Sequence, residues 1–270
     1  MDVNDDNAKI QKLAYDLELL NSEVPQTRGF FKRLLSVLYC DACGYSYGMK
    51  YTSSWQISLA CGGGASLGAL IWGGYVYNEP TTIVNGLTDK INPDYKVKYA
   101  TGISKAELIG ATHNEAIVRT MKTQQVVQSD KVLMDERLIQ TVNTQVNQCI
   151  GEYVNRGIVF SKNDFNSELD FPIYLQSGLL DFIKVLAEQE NFEGVHQMAK
   201  EFLPSEGSML DLLKQYVIYI GNVGEKEDIR TFTTQLNQAI DGLSISAENT
   251  EYLKTIVAIA ENSYSLWKVE

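Results

Sequence analysis

The sequence predicts an all-α fold, with an N-terminal Gly/Ala-rich helical hairpin ahead of a multi-helix, bundle-like body. Three observations carry this. Apolar residues recur three and four apart through most of the 270 residues. Strand-like alternation is confined to one short stretch, where Tyr95, Val97 and Tyr99 alternate with Lys96 and Lys98. Between Lys50 and Glu79 there is no charged side chain, and this run holds six of the twenty glycines.

The first helix is expected over residues 5–24. Ile10, Leu13, Leu17 and Leu20 share a face, and Pro25 and Gly29 punctuate its end. Residues 29–50 form a second candidate, with Phe30, Phe31, Leu34, Leu35, Val37 and Leu38 as apolar positions. Lys32 and Arg33 beside them suit either an anionic membrane surface or the solvent side of a core helix. The next segment, 54–78, is the apolar one. On a helix, Ala60, Gly64 and Gly68 fall on one line, and Cys61, Ala65, Ala69 and Gly73 on the adjacent line. Small residues at this spacing let helix backbones approach closely, and in lipid such packing replaces the missing hydrophobic drive. Trp55, Trp72, Tyr75 and Tyr77 lie near the two ends, where amphipathic rings favour a membrane interface. The length is close to the roughly 20 apolar residues of a spanning helix. Against insertion stand the consecutive Gly62, Gly63 and Gly64, which suit helices buried in a fold equally well. Residues 29–50 and 54–78 together predict an antiparallel hairpin that turns near Tyr51–Ser54.

These elements divide the chain into an amphipathic helix and glycine-zipper hairpin (1–80), a linker (81–103) and a helical domain (104–270). The turn signals Asn85-Gly86 and Asn92-Pro93 mark the linker. Ser104 and Glu107 have capping-box spacing, so a helix should begin there. A helix over 129–155 follows from Ile139, Val142, Val146, Cys149 and Tyr153. After an irregular stretch at 156–171, further helices are expected over 173–190, 193–203, 208–221, 226–242 and 247–267, with Ser208 as a cap. Short connections predict antiparallel neighbours.

The net charge of −11 and a pI near 4.8 argue against nucleic-acid binding, which needs clustered Lys and Arg. No secretory signal is visible in the acidic start MDVNDDNAK, so the chain reads as cytoplasmic or as exported by another route.

Few residues suggest chemistry. Cys40-Asp-Ala-Cys43 has the spacing of a metal or redox pair, but no second pair accompanies it. His113 shares a helical stripe with Ile109 and Ile117, the setting of a core histidine. Glu193 and His196 have the ExxH spacing of carboxylate-bridged di-iron bundles, which need two such motifs. With two histidines in the chain and no GxSxG, Walker loop or HExxH, no enzyme and no cofactor are expected. A further reading is a metal-binding enzyme built on His113, Glu193 and His196.

Two patterns carry a resemblance. The run from Gly44 to Gly74 resembles the membrane-active segments of class II bacteriocins and other glycine-zipper pore formers. Asp41-Ala-Cys-Gly44 with Gly48, then the glycine-rich run, then Gly110-Ala-Thr-His113-Asn114, is similar to a poorly characterised bacterial family. In that family a small-residue stretch precedes a Gly-x-x-His-Asn helix. A bacteriocin precursor usually carries a double-glycine leader near its start, whereas the first Gly-Gly here is Gly62-Gly63. The first resemblance implies a membrane-associating, toxin-like protein whose partner is a lipid membrane or a membrane protein. Trp55 and Trp72 would anchor the ends, while Ala60, Gly64, Gly68 and Gly73 pack helix on helix. The other expectation is a soluble helical interaction protein with the same stretch buried, and with a protein partner for residues 104–270.

Overall fold

The computed structural model describes residues 3–23, 31–72, 91–95, 103–123, 134–158, 165–223 and 226–267. These residues contain ten α-helices: α1 (Val3–Glu23), α2 (Phe31–Thr52), α3 (Trp55–Trp72), α4 (Lys105–Lys122), α5 (Glu136–Asn155), α6 (Ile173–Ala187), α7 (Phe192–Phe202), α8 (Gly207–Val223), α9 (Lys226–Asp241) and α10 (Ala247–Leu266). A 3-10 turn, Pro204–Glu206, leads into α8. Among the described residues the only β pairing is an isolated bridge between Ile91 and Trp267. The fold is all-α, as the periodicity predicts.

Helices α2 and α3 form the hairpin. Ser53 turns the chain with a φ of 52°, and its N–H donates to the Met49 carbonyl (2.9 Å). The two helices meet backbone to backbone. A Cβ at Gly44 would lie 2.6 Å from both Ala65 Cβ and the Cys61 carbonyl oxygen, and one at Gly48 would lie 2.5 Å from Ser58 Cα. Any larger residue at either glycine would force the helices apart.

The core is one contiguous cluster with residues from all ten helices, and α3 lies at its centre. Every α3 residue from Gln56 to Leu70 is buried, against α2, α4, α5 and α6. Helix α4 begins as its sequence requires. Ser104 Oγ accepts from the Glu107 N–H (3.2 Å), and Glu107 Oε2 accepts from the Ser104 N–H (2.8 Å). The expected stripe on α5 is the buried face: Ile139, Val142, Val146, Cys149 and Tyr153 are all inside.

Several expectations need correction. The helix drawn over 129–155 begins at Glu136, capped by Asp135, whose Oδ1 accepts from the Arg137 and Leu138 N–H groups. Residues 124–133 lie outside the described part, as do Val97 and Tyr99 of the proposed extended segment. Helix α6 stops at Ala187 rather than 190. Ser208 is not a cap. It lies inside the first turn of α8, and its hydroxyl donates to Asn7 Oδ1 (2.9 Å).

The pairing of α1 is non-sequential. It lies along α8, where Asn21 Nδ2 donates to the Gln215 carbonyl and to Gln215 Oε1 (both 2.9 Å). At its other end Asp6 Oδ2 accepts from the Ser246 N–H (3.0 Å) and from Asn249 Nδ2 (2.8 Å), tying α1 to the start of α10. Helix α10 in turn packs along α4 and α2.

Candidate functional site

The small residues of α3 do two different jobs. Cys61 and Ala65 face α2 and make the close helix pair. Gly64 and Gly68, on the neighbouring line, receive side chains from other helices. A Cβ at Gly68 would overlap Cγ2 of Ile183 on α6, whereas one at Gly64 would meet nothing closer than Ile139 Cγ1 at 3.6 Å. Ala60 is fully buried. Trp55 and Trp72, at the two ends, are half-buried, and Gly73 lies outside the described residues. Among the described residues no helix is long and apolar enough to cross a membrane.

A second feature lies around Gly62. The motifs at Asp41-Ala-Cys-Gly44 and Gly110-Ala-Thr-His113-Asn114 converge there from α2 and α4. A Cβ at Gly62 would lie 2.9 Å from the Asp41 carbonyl oxygen and 3.3 Å from His113 Cδ2. Gly110 brings α4 onto α10, because a Cβ there would sit 2.6 Å from the Ala258 carbonyl oxygen. Asn114 Nδ2 then donates to the Asn262 carbonyl (2.7 Å). Ser263 donates to the Asp41 carboxyl, and Trp267 Nε1 donates to Ser263 Oγ (3.2 Å). Burial raises the Asp41 carboxyl to about 8, against the opposing pull of Ser263 and Ser66. At neutral pH it is therefore mostly protonated. Burial lowers His113 to about 4, so its ring is neutral. Asp41 Oδ1, Ser66 Oγ and His113 Nε2 are buried without a hydrogen bond of normal geometry. No surface reaches this cluster, since Asp41, Ser66 and His113 are each 0 % exposed.

The other predicted residues are dispersed. Cys40, Cys43, Cys61 and Cys149 are free and buried, and burial pushes each thiol above its usual range. Glu193 pairs with Lys214 on α8 (2.7 Å) rather than with His196. His196 bridges two other groups. Its Nδ1 lies 2.7 Å from the Tyr39 hydroxyl, and its Nε2 lies 2.9 Å from Asp211 Oδ1. With Nε2–H donating to Asp211, Nδ1 accepts the Tyr39 O–H. Lys200 also donates to both Asp211 oxygens (2.8 and 3.0 Å). Burial pushes Asp211 up, but the bonds from His196 and Lys200 outweigh it and hold the carboxyl at about 2. This chain ties α2, α7 and α8 together. No three His, Cys, Asp or Glu side chains among the described residues converge on a metal-sized centre.

One accessible candidate is a cleft beside the α2–α3 turn, with a volume of about 390 Å³. Trp55 and the stacked Tyr45 and Tyr252 rings (centroids 6.3 Å apart) form its aromatic walls. Lys105, Glu206 and Glu251 supply charge. Five elements contribute: α2, α3, α4, the 3-10 turn and α10. Of its lining, sequence singles out Trp55 and, through the stripe it shares with His113 and Ile117, Ile109. The others are separated by up to two hundred residues and carry no shared local signal.

No protein-family model matches the chain, and neither a curated protein nor a solved structure does.

Proposed function

We propose that this chain is a non-enzymatic helical interaction protein. Its glycine-rich helix is the packing centre of the scaffold, and its recognition surface is the cleft beside the α2–α3 turn. The observation that carries this reading is the occupancy of every α3 face. Gly44 and Gly48 of α2 close over Ser58, Cys61 and Ala65, Val142 of α5 presses on Gly63, and Ile183 of α6 fills the notch at Gly68. Membrane association through the hairpin, the first expectation from sequence, requires α3 to leave this core. Ile57, Leu59, Leu67 and Leu70 would then lose their burial, at roughly 1.5–3 kcal/mol each. The sum, on the order of 10 kcal/mol, rivals the whole stability of a typical domain. A bilayer would have to replace it.

Fractionation of the expressed protein with a carbonate wash tests the reading. Recovery in the wash supernatant is the expected result. Retention in the washed membrane would overturn it and reinstate the hairpin as a membrane element.

A further inference from the structure

We infer that the cleft takes an organic cation, an ammonium or guanidinium group on a short apolar stem, with Glu206 as its counter-ion and Trp55, Tyr45 and Tyr252 as its wall. This rests on the reading of the cleft as the recognition surface.

Lys105 is already paired, 2.6 Å from Glu251. Lys50 donates to the Phe202 carbonyl (2.7 Å) and lies 5.1 Å from the centre of the Tyr51 ring. Lys105 is thus neutralised by Glu251, whereas Lys50 keeps its charge and acts on Glu206 without forming an ion pair with it. Glu248 stands in the first turn of α10, where the helix dipole favours a negative charge. Glu206 is different. It is half-buried, its hydrogen bond comes from its neighbour Ser205 (3.2 Å), and it forms no ion pair among the described residues. Burial raises its carboxyl above the ordinary range, and Ser205 and the more distant Lys50 pull it back. A cation arriving there would gain a partly desolvated carboxylate. Its stem would lie against three aromatic rings, of which the indole is the best cation–π partner. The net charge of −11 favours approach of a cation, and the volume falls within the range of small-ligand sites, about 300–1,000 Å³.

The test is calorimetric titration of the full chain at low ionic strength and pH 7. The probes are agmatine, cadaverine, glutarate and hexan-1-ol, followed by Nα-acetyl-arginine methylamide. Saturable binding of the two amines is expected, with at least a ten-fold preference over hexan-1-ol and glutarate. Glu206→Gln should weaken amine binding at least ten-fold while leaving the circular dichroism spectrum and the melting temperature unchanged. Tighter binding of the arginine derivative than of agmatine would assign the cation to a protein partner, and the reverse order to a free amine. Unchanged amine affinity in Glu206→Gln, or equal binding of hexan-1-ol, would overturn the inference. If glutarate binds instead and Lys105→Ala abolishes it, the cleft remains a recognition surface and the cation assignment fails. If no probe binds the wild-type chain, the recognition role of the cleft fails with it.

Discussion

Alanine at Gly64 and at Gly68 should have opposite effects, although the two glycines are one helical turn apart on the same line of α3. Either substitution removes a glycine from a helix interior, which is worth about 1 kcal/mol in favour of alanine. At Gly64 the new methyl group would meet Ile139 Cγ1 at 3.6 Å and Ile183 Cδ1 at 3.9 Å, ordinary contact distances. The propensity gain should therefore appear as stabilisation of up to about 1 kcal/mol. At Gly68 the methyl group would overlap Ile183 Cγ2, with Ile183 Cβ behind it at 3.5 Å. Ile183 is β-branched, 1 % exposed and on a helix, so its χ1 cannot turn aside freely. Overpacking of this kind costs about 1–3 kcal/mol, enough to offset the gain and more. The two variants should differ by about that amount, at roughly 2–4 °C per kcal/mol for a chain of this size. Thermal and urea denaturation followed by circular dichroism would measure it. Ile183→Ala completes a cycle. Alone it should cost about 2–5 kcal/mol, but with Gly68→Ala the methyl group fills space that Ile183 has left, giving a favourable coupling of about 0.5–3 kcal/mol. Equal effects at the two glycines, or no coupling to Ile183, would refute the assignment of Gly68 to a side-chain notch.

Asp41 and His113 predict opposed pH dependences. The Asp41 carboxyl is raised, so the folded state holds its proton more tightly, and this stabilisation is lost as pH rises from about 4 to about 8. Asp41→Asn should lessen the loss between pH 6.5 and 8, read by urea denaturation at both values. His113 is lowered, so its contribution is present above pH 6.5 and lost as pH falls towards 4. His113→Gln should therefore flatten the acid limb, measured as midpoints at pH 4.5 and 6.5. Arg119 binds Glu115 (2.7 Å) and, in bidentate fashion, Glu152 (2.7 and 2.8 Å), joining α4 to α5. Arg119→Lys cannot reproduce the fork and should cost on the order of 1 kcal/mol in urea denaturation, with a smaller loss at high salt. Ser104→Ala removes one arm of the α4 capping box and should cost about 1 kcal/mol in the same measurement.

Local chemistry was readable from sequence, and tertiary pairing was not. The stripe from Ile139 to Tyr153 marks the buried face of α5 because a helix repeats every 3.6 residues. Ser104 and Glu107 cap α4 because both partners lie within one turn. The hairpin followed from small residues on two adjacent segments, and Gly44 and Gly48 meet Ser58, Cys61 and Ala65 as that pattern allows. The notch at Gly68 was not readable, since Ile183 lies more than a hundred residues away and has no pattern linked to it. The same holds for α1 on α8, and for Tyr39 with His196, separated by 157 residues. Ser208 misled because a serine before an apolar run looks like a cap, while Pro204 had already started the turn. The cleft was invisible for the same reason, as five elements each supply one wall.

Val142 of α5 is placed to report whether α3 stays inside the fold. Val142 is 0 % exposed, and its Cγ1 presses on Gly63. A cysteine at this position can react with a water-soluble disulfide reagent only when α3 moves away or the protein unfolds. The decisive measurement is the reaction rate of the Val142→Cys thiol with and without anionic liposomes, against the wild-type chain as background. Reaction only at the rate of global unfolding, unchanged by liposomes, is the predicted result. A thiol that becomes fast when liposomes are added, while α5 stays folded, would mean that α3 leaves the core for the bilayer.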